Sequence, residues 1–218
     1  MSQLTENGLM RAYAYLLAYC KGTFPMAHSR ESPGVILIDP EFRGIIPLTR
    51  FHVPRRFRRT LRKDPFQIRF NCDFRSVIEG CADREQTWIN DEIIGSFLTL
   101  NRIGFAHSVE AWDGDRLAGG LYGVAIRGAF FGESMFTNKP EASKVALVHL
   151  ADRLISCNFG LLDTQFLNDH LSTFGATEIS RREFKALLAE ALERDTEFNG
   201  SYPASPGSEV LQRISQTS

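Results

Sequence analysis

The chain has 218 residues, 43% of them hydrophobic, and carries 25 basic against 26 acidic side chains for a formal net charge of -1. That length and apolar content suit an ordinary globular protein with one well-filled core, or one main domain with a small appendage. The near-neutral balance excludes nucleic-acid binding through overall charge, so any such affinity must come from a local patch. Four scattered cysteines, Cys20, Cys72, Cys81 and Cys157, contain no C-x-x-C pair, which argues against a zinc knuckle or a disulfide framework and for reduced, mostly buried thiols.

The segment Met1 to Gly8 has no basic region leading into an apolar run, and no later window approaches the roughly 20 apolar residues of a membrane span. A cytoplasmic protein with no membrane partner is therefore expected. After Thr5, a possible cap, the positions Leu9, Tyr13, Leu16, Leu17 and Cys20 recur at helical spacing, and Gly22 with Pro25 ends the helix. The β-branched run from Gly34 to Ile38 leads to a turn-rich connection around Asp39-Pro40 and Gly44 to Pro47. Residues 1–47 thus read as a small N-terminal subdomain, and 48–195 as the main domain.

A helix is expected through the arginine-rich stretch after Pro54, a strand from Phe66 to Asn71, and a helix from Asp73 to about Ala82. Asn90 or Asp91 can cap a further helix carrying Ile93, Ile94, Phe97, Leu98 and Ile103, with Gly104 near its end. Ala106 to Trp112 and Arg116 to Ala125 flank Asp113-Gly114, a strong hairpin signal, and Arg127-Gly128 marks a second turn before Phe130. These three strands form an antiparallel meander. Ala142-Ser143 opens a helix that Gly160 stops, a strand then carries Asp163 and Gln165, and Ser180-Arg181-Arg182-Glu183 is a capping box for a last firm helix. Residues 196–218, rich in Gly, Pro and Ser between Asn199 and Ser208, read as a disordered tail. The fold class is α+β, a central antiparallel sheet with flanking helices.

Two blocks concentrate polar side chains among apolar ones. Glu133 follows Phe130, Phe131 and Gly132, while Asp163 and Gln165 lie two apart after Leu161-Leu162, so on an extended segment they share a face. An acid and an amide then look into one space. A third feature is basic: Arg55, Arg56, Arg58, Arg59, Arg62 and Lys63 follow one another with no acid among them. As a bare charge run this is a solvated helix face, but the arginine excess also suits phosphate, whose oxygens match guanidinium forks.

The element order resembles the acyltransferase fold of the GNAT superfamily. The pyrophosphate loop [RQ]-x-x-G-x-[GA] of that superfamily is replaced here by Asn138 to Lys144, which disfavours coenzyme A as donor. The blocks more closely resemble the bacterial leucyl/phenylalanyl-tRNA-protein transferases. The matching stretches include Gly22-Thr23-Phe24-Pro25-Met26, Phe51-His52-Val53-Pro54-Arg55-Arg56, Val77 to Ala82 with Thr87-Trp88-Ile89-Asn90, Gly104 to Trp112, Gly119 to Gly123, Phe130 to Phe136, and Leu162-Asp163-Thr164-Gln165 through His170-Leu171 to Phe174-Gly175-Ala176. They run collinearly from about residue 9 to residue 192.

The resemblance implies transfer of leucine or phenylalanine, and less well methionine, from aminoacyl-tRNA to the α-amino group of proteins beginning with arginine or lysine, marking them for degradation. It implies no metal and no organic cofactor, since the aminoacyl ester is already activated. By the same resemblance Gln165 contacts the attacking amine with support from Asp163, Glu133 lies at the aminoacyl pocket, and Trp88, Leu121, Phe130, Leu147, Leu150 and Leu162 form the socket for the donor side chain. The sequence departs at Leu37, where relatives commonly carry tryptophan. On this view the arginine run binds tRNA, the partners are Leu-tRNA, Phe-tRNA and proteins with N-terminal Arg or Lys, and a monomer is expected. The competing readings are a thioester-dependent GNAT-like acyltransferase, a sibling tRNA-dependent transferase acting on acidic N-termini, and a non-catalytic RNA-binding or degradation adaptor.

Overall fold

The computed structural model describes residues 6–198 and 203–217. Its centre is a seven-stranded mixed sheet built from β3 (Phe42–Ile45), β4 (Gln67–Phe70), β5 (Ala106–Asp113), β6 (Arg116–Ile126), β7 (Ala129–Thr137), β8 (Leu161–Gln165) and β9 (Thr177–Ser180). The strand order is β4-β5-β6-β7-β8-β3-β9. A separate hairpin pairs β1 (Phe24–Met26) with β2 (Ile36–Ile38). The expected meander is β5-β6-β7, closed at its first turn by Gly114 at φ 59°. The sheet is not antiparallel throughout, because β7 and β8 run parallel. Helix α5 (Ala142–Ser156) crosses from one to the other, and such a crossover is what joins neighbouring parallel strands.

Local chemistry accounts for the helix ends. Asp73 accepts from Ser76 N to start α3 (Phe74–Ala82), and Asn90 accepts from Ile93 N to start α4 (Asp91–Arg102). Ser180 and Glu183 complete the reciprocal capping box of α7 (Arg181–Leu192). Helix α1 (Glu6–Cys20) buries Ala12, Tyr15, Leu16 and Tyr19, whereas Tyr13 and Leu17 of the expected stripe are exposed. Its tyrosines lie on both sides, so spacing alone did not resolve which face turns inward.

Side chains alternate across the sheet and divide the core in two. Phe131 and Leu161 join α1, α3, α4 and α7 on one face, while Phe130 and Leu162 join α5 and α2 (Arg55–Leu61) on the other. Strand β3, from the expected N-terminal subdomain, is inserted into the main sheet between β8 and β9. The tail also differs from expectation. Residues 199–202 lie outside the described residues, but Gly207–Thr217 forms a helix, α8, whose Val210 and Ile214 are buried in the second core face. Its anchor is a bidentate pair from Arg213 to Asp152 on α5, at 2.8 and 2.7 Å.

Candidate active site

The parallel ladder between β7 and β8 is short. It pairs Ala129 with Leu161, Phe130 with Leu162 and Phe131 with Asp163, and there it stops. Beyond that point β7 continues along β6, bulged at Tyr122/Gly123, while β8 follows β3 for two more residues and ends. Gln165 closes β8 at φ 63°, a left-handed backbone that a non-glycine residue rarely adopts. The chain then passes over β3 where it has no side chain: a Cβ on Gly44 would lie 2.8 Å from backbone atoms of Phe166 and Leu167. The two central strands therefore splay.

A cavity of about 260 Å³ occupies the splay. Leu121, Leu147, Leu150 and Leu162, all from the α5 face of the core, form its apolar wall, and Tyr122 and Trp88 come from the opposite face. The cavity thus reaches through the sheet, between strands that no longer share hydrogen bonds. Glu133 on β7 and Gln165 on β8 meet across this gap, where Gln165 Nε2 donates to Glu133 Oε1 at 2.8 Å. The same carboxylate oxygen accepts from Tyr19 of α1, also at 2.8 Å. A side-chain bridge replaces the missing backbone ladder.

Glu133 is the electrostatic focus. Burial pushes its carboxyl up to about 8, and the nearby Asp163 charge pushes the same way, against the bonds from Tyr19 and Gln165. Its second oxygen, Oε2, is buried and has no hydrogen-bond partner among the described residues, as is true of the Tyr122 hydroxyl on the same wall. Buried polar atoms left unpaired are costly, and both belong to residues that line this cavity. An ammonium group entering the cavity would satisfy Oε2 and favour the ionised carboxylate.

Asp163 has a different environment. It is fully buried and does not line the cavity, and Arg43 of β3 grips it with Nε to Oδ1 at 2.8 Å and Nη2 to Oδ2 at 2.6 Å. Arg43 is itself 1% exposed, donates to Gly22 O at 3.1 Å, and is sandwiched between the rings of Phe24 and Phe184 at 4.4 Å each. Asp163 Oδ1 also accepts from the backbone N of Gln165 at 2.9 Å. The charge of Asp163 is thus met by Arg43, and Asp163 is not among the residues that line the cavity. What Asp163 does is hold the backbone of Gln165 in its left-handed turn. The expected shared face of Asp163 and Gln165 is lost at that turn, and the acid beside the amide is Glu133.

Of the expected socket residues, Trp88, Leu121, Leu147, Leu150 and Leu162 stand together on the cavity wall, with Glu133 and Gln165. Phe130 does not line it. That ring is fully buried and packs on Phe198, 5.6 Å between centroids. Arg84, Thr164, Phe166 and Asn168 at the rim, and Tyr19 and Arg43 behind, were not expected. Arg43 carried one faint signal, a single charge in the otherwise apolar run Phe42 to Ile46.

The basic run forms α2 and its C-terminal turn, with Arg55, Arg56, Arg58, Arg59, Arg62 and Lys63 all exposed. None of the six pairs with a carboxylate among the described residues. Phe57 of α2 packs edge-on against Phe174, which follows α6 (Asp169–Ser172). Because Asn168 and Leu171 line the cavity, one short segment links it to the basic helix.

Residues 45–189, the span that contains the splayed strands and the basic helix, match the family described as leucyl/phenylalanyl-tRNA protein transferase. The chain belongs to this family. Relatives bearing that description are similar over nearly their whole length: 53% identity in Phenylobacterium zucineum, covering 92% of this chain and 95% of the relative, and 50% in Maricaulis maris, covering 93% and 96%. In Roseobacter denitrificans the identity is 48%, over 99% of this chain and all of the relative. Membership makes the chain an aminoacyltransferase that draws on aminoacyl-tRNA and acts on protein. Among the described residues no helix is long and apolar enough to cross a membrane.

Proposed function

We propose that this transferase moves leucine or phenylalanine, and less well methionine, from aminoacyl-tRNA to the α-amino group of proteins beginning with arginine or lysine. The observation that carries the reading is the Glu133–Gln165 bridge at the polar end of a leucine-walled cavity. An aliphatic socket with few polar groups accepts leucine, phenylalanine and methionine while discriminating weakly among them. Glu133 Oε2 lies where the donor's free α-amino group fits, and that contact would seat the ester carbonyl near Gln165. The amide nitrogen of Gln165 is already given to Glu133, so it is the carbonyl oxygen of that side chain that orients the incoming amine. Attack of the neutral amine on the ester forms the peptide bond and releases the ribose hydroxyl, with the amine proton passing to solvent or to that oxygen.

The remaining expectations form part of the same proposal. The chain acts in the cytoplasm as a monomer, the exposed cations of α2 bind the tRNA backbone, and the acyltransferase architecture is GNAT-like with a small N-terminal subdomain. The acceptor must be recognised at the rim rather than by Asp163. The decisive assay offers peptides beginning with Arg, Lys, Asp or Glu together with Leu-tRNA, Phe-tRNA or acetyl-CoA. RNase-sensitive transfer of leucine and phenylalanine to the Arg and Lys peptides is expected. Transfer from acetyl-CoA, or to the acidic peptides alone, would refute the reading.

A further inference from the structure

Helix α8 does more than cover the core. It faces α2 across a groove, on one side of which stand His52, Arg58 and Arg62 and on the other Ser208, Gln212 and Ser215, with Leu211 and Ile214 along the floor. The three polar residues of α8 fall at i, i+4 and i+7, so they form one stripe, and all three are exposed. Arg58 and Arg62 are likewise one turn apart, and Arg58 Nε donates to Val53 O at 3.0 Å, which holds the guanidinium in place without neutralising it. No carboxylate among the described residues lines the groove. The acid of α8, Glu209, and Asp152 beneath it are both paired with Arg213 instead. Ser215 Oγ donates to Gln212 O at 2.8 Å, so the donors of α8 that remain are the Ser208 hydroxyl and the Gln212 amide. Two guanidiniums with no carboxylate partner among the described residues, facing those two donors, are the chemistry of a site for phosphate oxygens.

We propose that α8 is the second wall of an RNA-backbone site, its Ser208 and Gln212 side chains holding a phosphodiester against Arg58 and Arg62. This rests on the tRNA reading of α2 and extends it to a helix in a segment whose composition reads as disordered. A backbone site of this kind reads phosphate and not base, as suits an enzyme that accepts several tRNA species.

The test uses the full chain and two surface variants of opposite sign. Gln212→Glu with Ser215→Glu places carboxylates in the groove and is expected to weaken Leu-tRNA binding about tenfold and lower the salt slope by about 1. Gln212→Lys with Ser215→Lys is expected to tighten binding, an effect that mere loss of helix packing cannot produce. Transfer from leucyl-adenosine, which lacks the tRNA body, should be unchanged in both. Unchanged or equally weakened tRNA affinity in the two variants overturns the proposal. If replacing Arg55, Arg56, Arg58 and Arg59 by Gln still weakens tRNA binding, the tRNA reading of α2 survives that failure; wild-type protein without tRNA affinity would sink both. Should the Glu pair abolish calorimetric binding of inorganic pyrophosphate while tRNA affinity holds, the groove serves a free phosphate compound and the proposal falls.

Discussion

Replacing Arg43 by methionine should separate what the buried ion pair does for the fold from what it does for the site. Methionine retains an apolar stem between Phe24 and Phe184 but removes every donor, leaving a fully buried Asp163 with the Gln165 amide as its one described partner. Removing one member of a buried pair costs about 3–5 kcal/mol. For a chain of this size each kcal/mol is worth about 2–4 °C, so the melting temperature should fall by about 6–20 °C. The double variant Arg43→Met with Asp163→Leu removes both charges, and hydrophobic replacement of a buried pair is commonly close to neutral, so most of the lost stability should return. Activity should not return with it. Without Asp163 Oδ1 the Gln165 amide N loses its acceptor, and misplacing the Gln165 side chain by about 1 Å lowers kcat/KM about 100-fold. Calorimetric melting and single-turnover leucine transfer to an Arg-starting peptide give the two readouts. An Arg43→Met protein that melts within about 2 °C of wild type and transfers leucine normally would refute the reasoning.

Glu133 gives a pH signature whose sign is fixed by burial. Its carboxyl is raised from 4.5 to about 8, so between those values the folded state binds a proton that the unfolded chain does not, and stability must fall as pH rises through that window. Relative to Glu133→Gln, wild type should lose up to about 1.4 kcal/mol per pH unit there, measured by urea unfolding at a series of pH values. A flat difference would contradict the burial argument. For the socket, Leu150→Trp adds bulk to a space of about 260 Å³ and should lower kcat/KM for Phe-tRNA at least tenfold more than for Leu-tRNA. Equal losses would place Leu150 outside the donor pocket.

The elements with local punctuation were legible in the sequence, namely the Ser180 capping box, the Asn90 cap and the Asp113-Gly114 hairpin. Each of those signals is complete within a few residues. Strands β3 and β9 have four residues each and lack clean alternation, and β3 carries an arginine that a half-buried strand would turn outward. Buried arginines are rare enough that Arg43 reads as surface until its partner 120 residues away is known. The site shows the same division. The leucines and Trp88 could be gathered by resemblance, but the left-handed turn at Gln165, tied to Asp163 Oδ1 and followed by the close passage over Gly44, depends on contacts that no local signal announces. Helix α8 was hidden by the Gly, Pro and Ser residues before it, although Val210, Leu211 and Ile214 already had helical spacing.

The splayed strands also bear on the order in which the molecule forms. Each clamp around the cavity closes a long loop: Tyr19 reaches Glu133 across 114 residues, and Arg43 reaches Asp163 across 120. The meander of β5, β6 and β7 is local and can form early, whereas closing loops of that length costs chain entropy before any contact repays it. The site is therefore among the last parts to assemble. Weakening Arg43 should speed unfolding much more than it slows folding, and a nascent chain acquires activity only when its most distant segments have met.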